Sequence, residues 1–223
     1  MIIDNTYFID EIYIPNAKPS VTSNITSVSA SILNFISEYE RECLIESLGY
    51  QLYKEFSDNL DSTKSNGLKV GADAKWDDLL NGKAYTNSDG KAVEWLGVRR
   101  KAKSSDTTYS KSFIAQYVYF FYEQNANTTN TGVGHIVEDV KNATVLTSPP
   151  KVFKAWNKFV DIVQGKKVSP TYMQGRYGTG VDYFNYEWGI SLYKFIQDQN
   201  ELVKDTYANF TPKLWTRINE FGL

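Results

Sequence analysis

The chain has one histidine, His135, and one cysteine, Cys43. A zinc site needs three or four His, Cys or carboxylate ligands at recognisable spacing, which this distant pair cannot supply. His135 stands in a polar stretch with no Gly-x-Ser-x-Gly elbow to serve, so it reads as a surface imidazole rather than a general base. Cys43 falls on the apolar side of a helical period and reads as a small core residue rather than a nucleophile. Asp77 with Asp78, or Asp182 with Glu187, could supply the acid and base of a glycosidase. The run Trp76-Asp77-Asp78-Leu79-Leu80 is better accounted for as a helical turn with acids near its start and buried apolar residues. Gly132-Val133-Gly134 begins a Gly-x-Gly pattern, but Val137 takes the third glycine's place and no Lys-Ser follows a glycine run. Neither the dinucleotide nor the P-loop signature is present, and Gly175, Gly178 and Gly180 lack a preceding strand. No catalytic, cofactor-binding or metal-ligating residue is assigned, and the expectation is a protein that is not an enzyme.

Surfaces carry more signal than pockets. Glu38, Glu42 and Glu46 recur at i, i+4, i+8, a like-charge ladder that costs a few tenths of a kcal/mol per pair unless a counter-charge faces it. Lys151, Lys154 and Lys158 form a similar stripe on a second helix. The expectation is that the two stripes lie on opposite sides of a subunit and meet across a head-to-tail contact, against the plainer reading of two solvated faces. Sixteen tyrosines raise the aromatic share to 15%, which suits interfaces where an apolar body meets a polar tip. Tyr172, Tyr177, Tyr183 and Trp188, in a Gly- and Tyr-rich stretch, are the candidates for such contacts. A carbohydrate-stacking platform would use the same residue types.

At 223 residues the chain can bury one substantial core. A net charge of -2 offers no long-range attraction for nucleic acid, and no run is long and apolar enough for a membrane span. The first residues, with Asp4, Asp10 and Glu11, lack the basic-then-apolar order of a signal peptide.

The periodicity predicts a mainly α fold: a helical bundle of about four to five helices with a β-hairpin insertion and an extended N-terminal arm. Residues 1–27 alternate and then turn Pro- and Ser/Thr-rich, which reads as the arm. Residues 28–165 form the helical core, beginning with a long helix that bends or breaks at Gly49. Residues 81–98 read as a hairpin around Asn87-Ser88-Asp89-Gly90. A basic run at 99–103 then precedes a helix from about Thr107 to Gln124, apolar almost all round and so enclosed. Residues 125–147 are a second hairpin or an extended tongue. Ser148-Pro149-Pro150 opens a helix that ends near Gly165. Residues 166–223 hold the Gly/Tyr-rich stretch and two helices, at about 190–204 and 211–221, the second capped by Thr211-Pro212.

The joint order of these pieces resembles the head-to-tail connector, or neck ring, proteins of tailed phages, especially those of Bacteroides and crAss-like phages. The resemblance rests on FISEYERECLIESLGYQLYKEF at 35–56, WDDLLNGKAY at 76–85, GKAVEWLGV at 90–98, SKSFIAQYVYFFYEQ at 110–124 and SPPKVFKAWNKFV at 148–160. It implies a structural subunit of a homo-oligomeric ring, usually a dodecamer, between the portal protein and adjacent connector or tail proteins. DNA would pass through the lumen without sequence-specific binding. The implied location is the virion neck, after synthesis in the host cytoplasm. For the lumen wall a weakly charged or acidic surface is expected, since a basic one would hold the phosphate backbone, and the Glu38 ladder is a second candidate for it. The alternatives are an aromatic-rich carbohydrate-binding module and a small glycan hydrolase.

Overall fold

The computed structural model describes residues 1–17, 27–64, 67–103, 108–126, 129–131, 134–136, 149–165 and 189–218. Among them run six α-helices: α1 (Ser27–Leu48), α2 (Tyr50–Asp58), α3 (Ala74–Asn81), α4 (Phe113–Ala126), α5 (Pro149–Gln164) and α6 (Leu192–Leu202). Three antiparallel hairpins accompany them: β1 (Lys83–Thr86) with β2 (Ala92–Trp95), β3 (Arg100–Lys103) with β4 (Thr108–Lys111), and β5 (Thr129–Thr131) with β6 (Gly134–Ile136). The fold is mainly helical with a hairpin insertion, as the apolar periods predict.

Helix α4 is the centre. Phe113, Ile114, Ala115, Tyr117, Val118 and Tyr119 are all buried, which a helix achieves only when neighbours cover every side. It packs against α1 and α5. Helix α1 contributes Ile32, Ile36, Cys43, Leu44 and Leu48, and α5 contributes Val152, Ala155, Phe159, Val160 and Val163. Each large side chain so buried contributes about 1.5–3 kcal/mol.

The joint between α1 and α2 falls at Gly49, whose φ of 88° lies in the left-handed region. A Cβ there would stand 2.2 Å from Thr211 Oγ1. Thr211 is close because its N–H donates to Leu48 O at 3.1 Å, and Lys213 N–H donates to Glu46 O at 2.8 Å. The last carbonyls of α1, which have no partner within the helix, are thus satisfied from the chain's far end.

That arrangement corrects the helix expected at 211–221: residues 211–218 are not helical. Their backbone is committed elsewhere, to α1 as above and to α5. Trp156 Nε1 donates to Thr216 O at 2.8 Å, Gln164 Nε2 to Trp215 O at 2.8 Å, and Asn157 exchanges two bonds with Ile218. A helix would need those same groups. The preceding helix is as expected, with Ser191 Oγ accepting from Lys194 N–H at the start of α6.

Two further corrections concern segment boundaries. The helix expected from Thr107 begins at Phe113, and the basic run before it is strand β3, with Lys101 opposite Ser110 and Ala102 opposite Tyr109. Those ladder bonds withhold the backbone groups a helix would use, and Ser112 marks the change, its hydroxyl accepting from Ile114 N–H and donating to Val98 O. The arm at 1–27 is non-α-helical over residues 1–17, as read, yet it does not reach outward. Two 3₁₀ turns fold it so that Ile3, Tyr7, Phe8, Ile12, Ile14 and Ala17 enter the same apolar core as α1, α4 and α6. The alternation of apolar residues that suggested an extended arm is the imprint of this burial. Within 125–147, the antiparallel pairing of β5 with β6 answers the choice between hairpin and tongue in favour of the hairpin, residues 127–128, 132–133 and 137–147 lying outside the described residues.

Candidate functional site

The densest polar constellation joins the first hairpin to α6. Asp198 lies on α6 with no exposure to solvent. Tyr85, from β1, donates its hydroxyl to Asp198 Oδ2 at 2.8 Å, and Lys194 Nζ lies 2.7 Å from Oδ1. That ammonium neutralises Oδ1 without meeting hydrogen-bond geometry, since this oxygen has no directional donor. Beside the pair, Lys83 Nζ bridges Asp78 Oδ2 at 2.6 Å and Gln199 Oε1 at 3.2 Å, and Ser88 donates to Glu201. The hairpin is also tied by its backbone. Ile190 N–H donates to Glu94 O at 3.0 Å, and Gly189, at φ 68°, approaches so closely that a Cβ would sit 2.0 Å from Glu94 O.

Burial, reinforced by Asp198 as acceptor and as charge, drives the Tyr85 hydroxyl far above its ordinary range. It remains a donor at any physiological pH. The same holds for Tyr117, raised by burial, by Cys43 and by Glu42, and the Cys43 thiol is pushed well up by burial. A two-stranded hairpin is marginal alone in water, and this network together with Trp95 stacked on Phe195 at 5.6 Å is what fixes it. The arrangement can hold a proton and position a hairpin.

Glu42 accepts from Tyr117 Oη at 2.9 Å and Glu46 pairs with Lys213 Nζ at 3.0 Å, while Glu38 is exposed. Lys154 Nζ is 2.6 Å and Lys158 Nζ 3.8 Å from the Glu11 carboxylate, and Lys151 Nζ stands 5.7 Å from the Tyr119 ring centre. The acidic stripe on α1 and the basic stripe on α5 are not brought together, and each meets part of its counter-charge inside the subunit. Tyr172, Tyr177, Tyr183, Trp188, Asp182 and Glu187 lie outside the described residues. His135 lies on β6, opposite Asn130. Cys43 is buried in the core, and Trp76, Leu79 and Leu80 are buried on α3, as their spacing predicts.

The reading of the sequence missed Tyr85, Lys83 and Asp198. The i,i+4 spacing of Lys194 and Asp198 was visible in it, but nothing there said that Asp198 is fully enclosed. Among the described residues no three His, Cys, Asp or Glu side chains gather as a metal site, and no helix is long and apolar enough to cross a membrane. Set against family models, curated proteins and solved structures, the chain matches none.

Proposed function

We propose that the protein is a structural subunit of a phage head-to-tail connector ring, joining the portal vertex to the tail and forming part of the DNA channel. What supports this reading is a helical core carrying three separate two-stranded hairpins, none joined to another among the described residues. A two-stranded hairpin keeps an edge whose N–H and C=O groups a neighbouring subunit's strand can extend, although that of β2 is already taken in part by Ile190. Tyr13, Tyr50, Val203 and Leu214 are further large side chains left exposed. The partners are further copies of the chain, the portal protein and the next connector or tail protein, and DNA passes without base-specific contacts.

The described aromatics lend a glycan platform little support, because Trp76, Trp95, Tyr117, Tyr119 and Tyr207 are turned into the core. Electron microscopy of the purified protein, alone and with a portal, tests the reading. Closed rings, or a monomer that closes into a ring only on the portal, support it. A protein that stays monomeric in both conditions and binds oligosaccharides overturns it.

A further inference from the structure

Helix α5 holds the segment at 211–218 as a receptor holds a peptide. Gln164 grips Trp215 by both backbone groups: its Nε2 donates to Trp215 O at 2.8 Å and its Oε1 accepts from Trp215 N–H. Asn157 does the same to Ile218, donating to the carbonyl at 2.7 Å and accepting from the amide at 2.8 Å. The two clamps stand seven residues apart on α5, about 10.5 Å along its axis. A stretched backbone covers about the same distance in the three residues from Trp215 to Ile218. Asp161 lies between the clamps on the same helix face and pairs with Arg217, and Trp156 Nε1 donates to Thr216 O at 2.8 Å.

The amide clamps read backbone and accept any sequence. Selectivity comes from two side chains of the segment. Trp215 packs among Tyr117, Trp156 and Phe159, with ring centres 5.7, 5.4 and 5.1 Å away, and Arg217 takes the Asp161 carboxylate. An aromatic anchor in a pocket and a matched charge two residues on are the features that make a contact specific.

The segment is joined to the body through a short pivot. Tyr207 is buried and donates to Lys75 O at 2.6 Å, and Ala208 and Asn209, which follow it, are exposed. Every copy of the chain carries both the seat on α5 and the segment that fills it. A second copy's segment can therefore replace the first with each contact kept, which is what makes domain swapping a low-cost route to association.

We propose that residues 211–218 are an exchangeable latch: the seat formed by Asn157, Asp161, Gln164 and the aromatic cluster on one copy receives the Trp215 and Arg217 segment of a second copy. This contact does not rest on the ring reading. A ring can close with every segment at home, and an exchanged pair can form without a ring, so microscopy and the experiment below fail separately.

Disulfide trapping in the full chain tests the exchange. Asp161→Cys and Arg217→Cys chains are mixed under mild oxidation, Cys43 being buried in both. A bond between positions 161 and 217 then requires one copy's segment on the other's α5. The mixed dimer should exceed the share that random pairing gives, rise with protein concentration and fall when a synthetic peptide of residues 211–218 is added. Asn157→Ala or Gln164→Ala in the Asp161→Cys chain should each slow its formation about tenfold, because each removes two neutral hydrogen bonds. The doubly substituted chain, Asp161→Cys with Arg217→Cys, reports on the seat itself and should close within one chain in dilute solution. Closure there, with no excess of mixed dimer between the single variants, means that the segment stays at home and overturns the exchange. Failure of the doubly substituted chain to close removes the seat on α5 and overturns it as well.

Discussion

Two regions of this molecule hold together by different physics. Where α1, α4, α5 and the segment at 211–218 meet, Trp215 packs edge-on against Trp156 at 5.4 Å and Phe159 at 5.1 Å, and Tyr117 lies 5.0 Å from Phe159. Where the first hairpin meets α6, the contact turns on Asp198, Tyr85, Lys194 and Lys83. The ring packing at the aromatic junction is non-directional and tolerates small adjustments, because its stability scales with area removed from water, although hydrogen bonds from α5 hold the backbone of 215–218 beside it. The polar junction works only at fixed geometry, because a buried carboxylate without its partners is costly. Apolar periods in the sequence are enough to announce the first kind of contact. The second kind has to be seen.

The largest effect should come from the aromatic side. Phe159→Ala removes a fully buried ring shared by Phe113, Tyr117, Trp156 and Trp215, and urea unfolding should show a loss of about 3–5 kcal/mol. A loss below about 1 kcal/mol would mean that the junction collapses freely around the gap and is not the core it looks to be.

Asp198→Ala comes next, at about 3 kcal/mol, since it removes the carboxylate that pairs with the Lys194 ammonium and accepts from the Tyr85 hydroxyl. Tyr85→Phe alone should cost about 1 kcal/mol. The double variant should fall short of the sum, because both changes break one bond. Strict additivity would show that Tyr85 and Asp198 do not act together and would erase the contrast between the two regions.

Gly49→Ala probes whether the aromatic side also depends on a directional element. The left-handed φ and the clash with Thr211 predict a cost of about 1–3 kcal/mol. Increased protease cleavage within 211–218 should accompany it, while hairpin β1–β2 stays protected in hydrogen exchange.

The smallest effect concerns pH. Glu40, nearly buried, accepts from Ile2 N–H at 2.8 and 2.9 Å and from Ile3 N–H at 3.0 Å. Burial nonetheless raises its carboxyl above the ordinary value of 4.5, the Ile3 and Ile2 amides pulling only partly the other way. A carboxyl whose folded pKa is raised favours the folded state most when protonated. Its contribution is therefore complete below the ordinary value and is lost as pH rises through the raised one. Melting temperatures of the native chain and Glu40→Gln, compared from pH 4 upward, should differ by an amount that changes just above the ordinary carboxylate range and then levels. A constant offset would show that Glu40 titrates as if exposed.

Much of the bundle was legible in the chain. The break at Gly49, the enclosed run from Phe113 to Tyr119, the buried face of α5, the hairpin about Asn87-Ser88-Asp89-Gly90 and the core role of Cys43 follow from periods of 3.6 and 2 and from turn chemistry. These depend on neighbours only a few residues apart, and local sterics and solvent decide them. The rest required the tertiary structure. Residues 211–218 are not helical because Glu46, Leu48, Asn157 and Gln164 take up their backbone groups. Residues 1–17 lie in the core rather than outside it because α1 and α4 offer them apolar surface. The ladders of Glu38, Glu42 and Glu46 and of Lys151, Lys154 and Lys158 gain counter-charges from Lys213 and Glu11, far away in the chain. A hydrogen bond or ion pair between distant residues leaves no period behind it, because its partners are set by where the chain returns and not by how it is spaced.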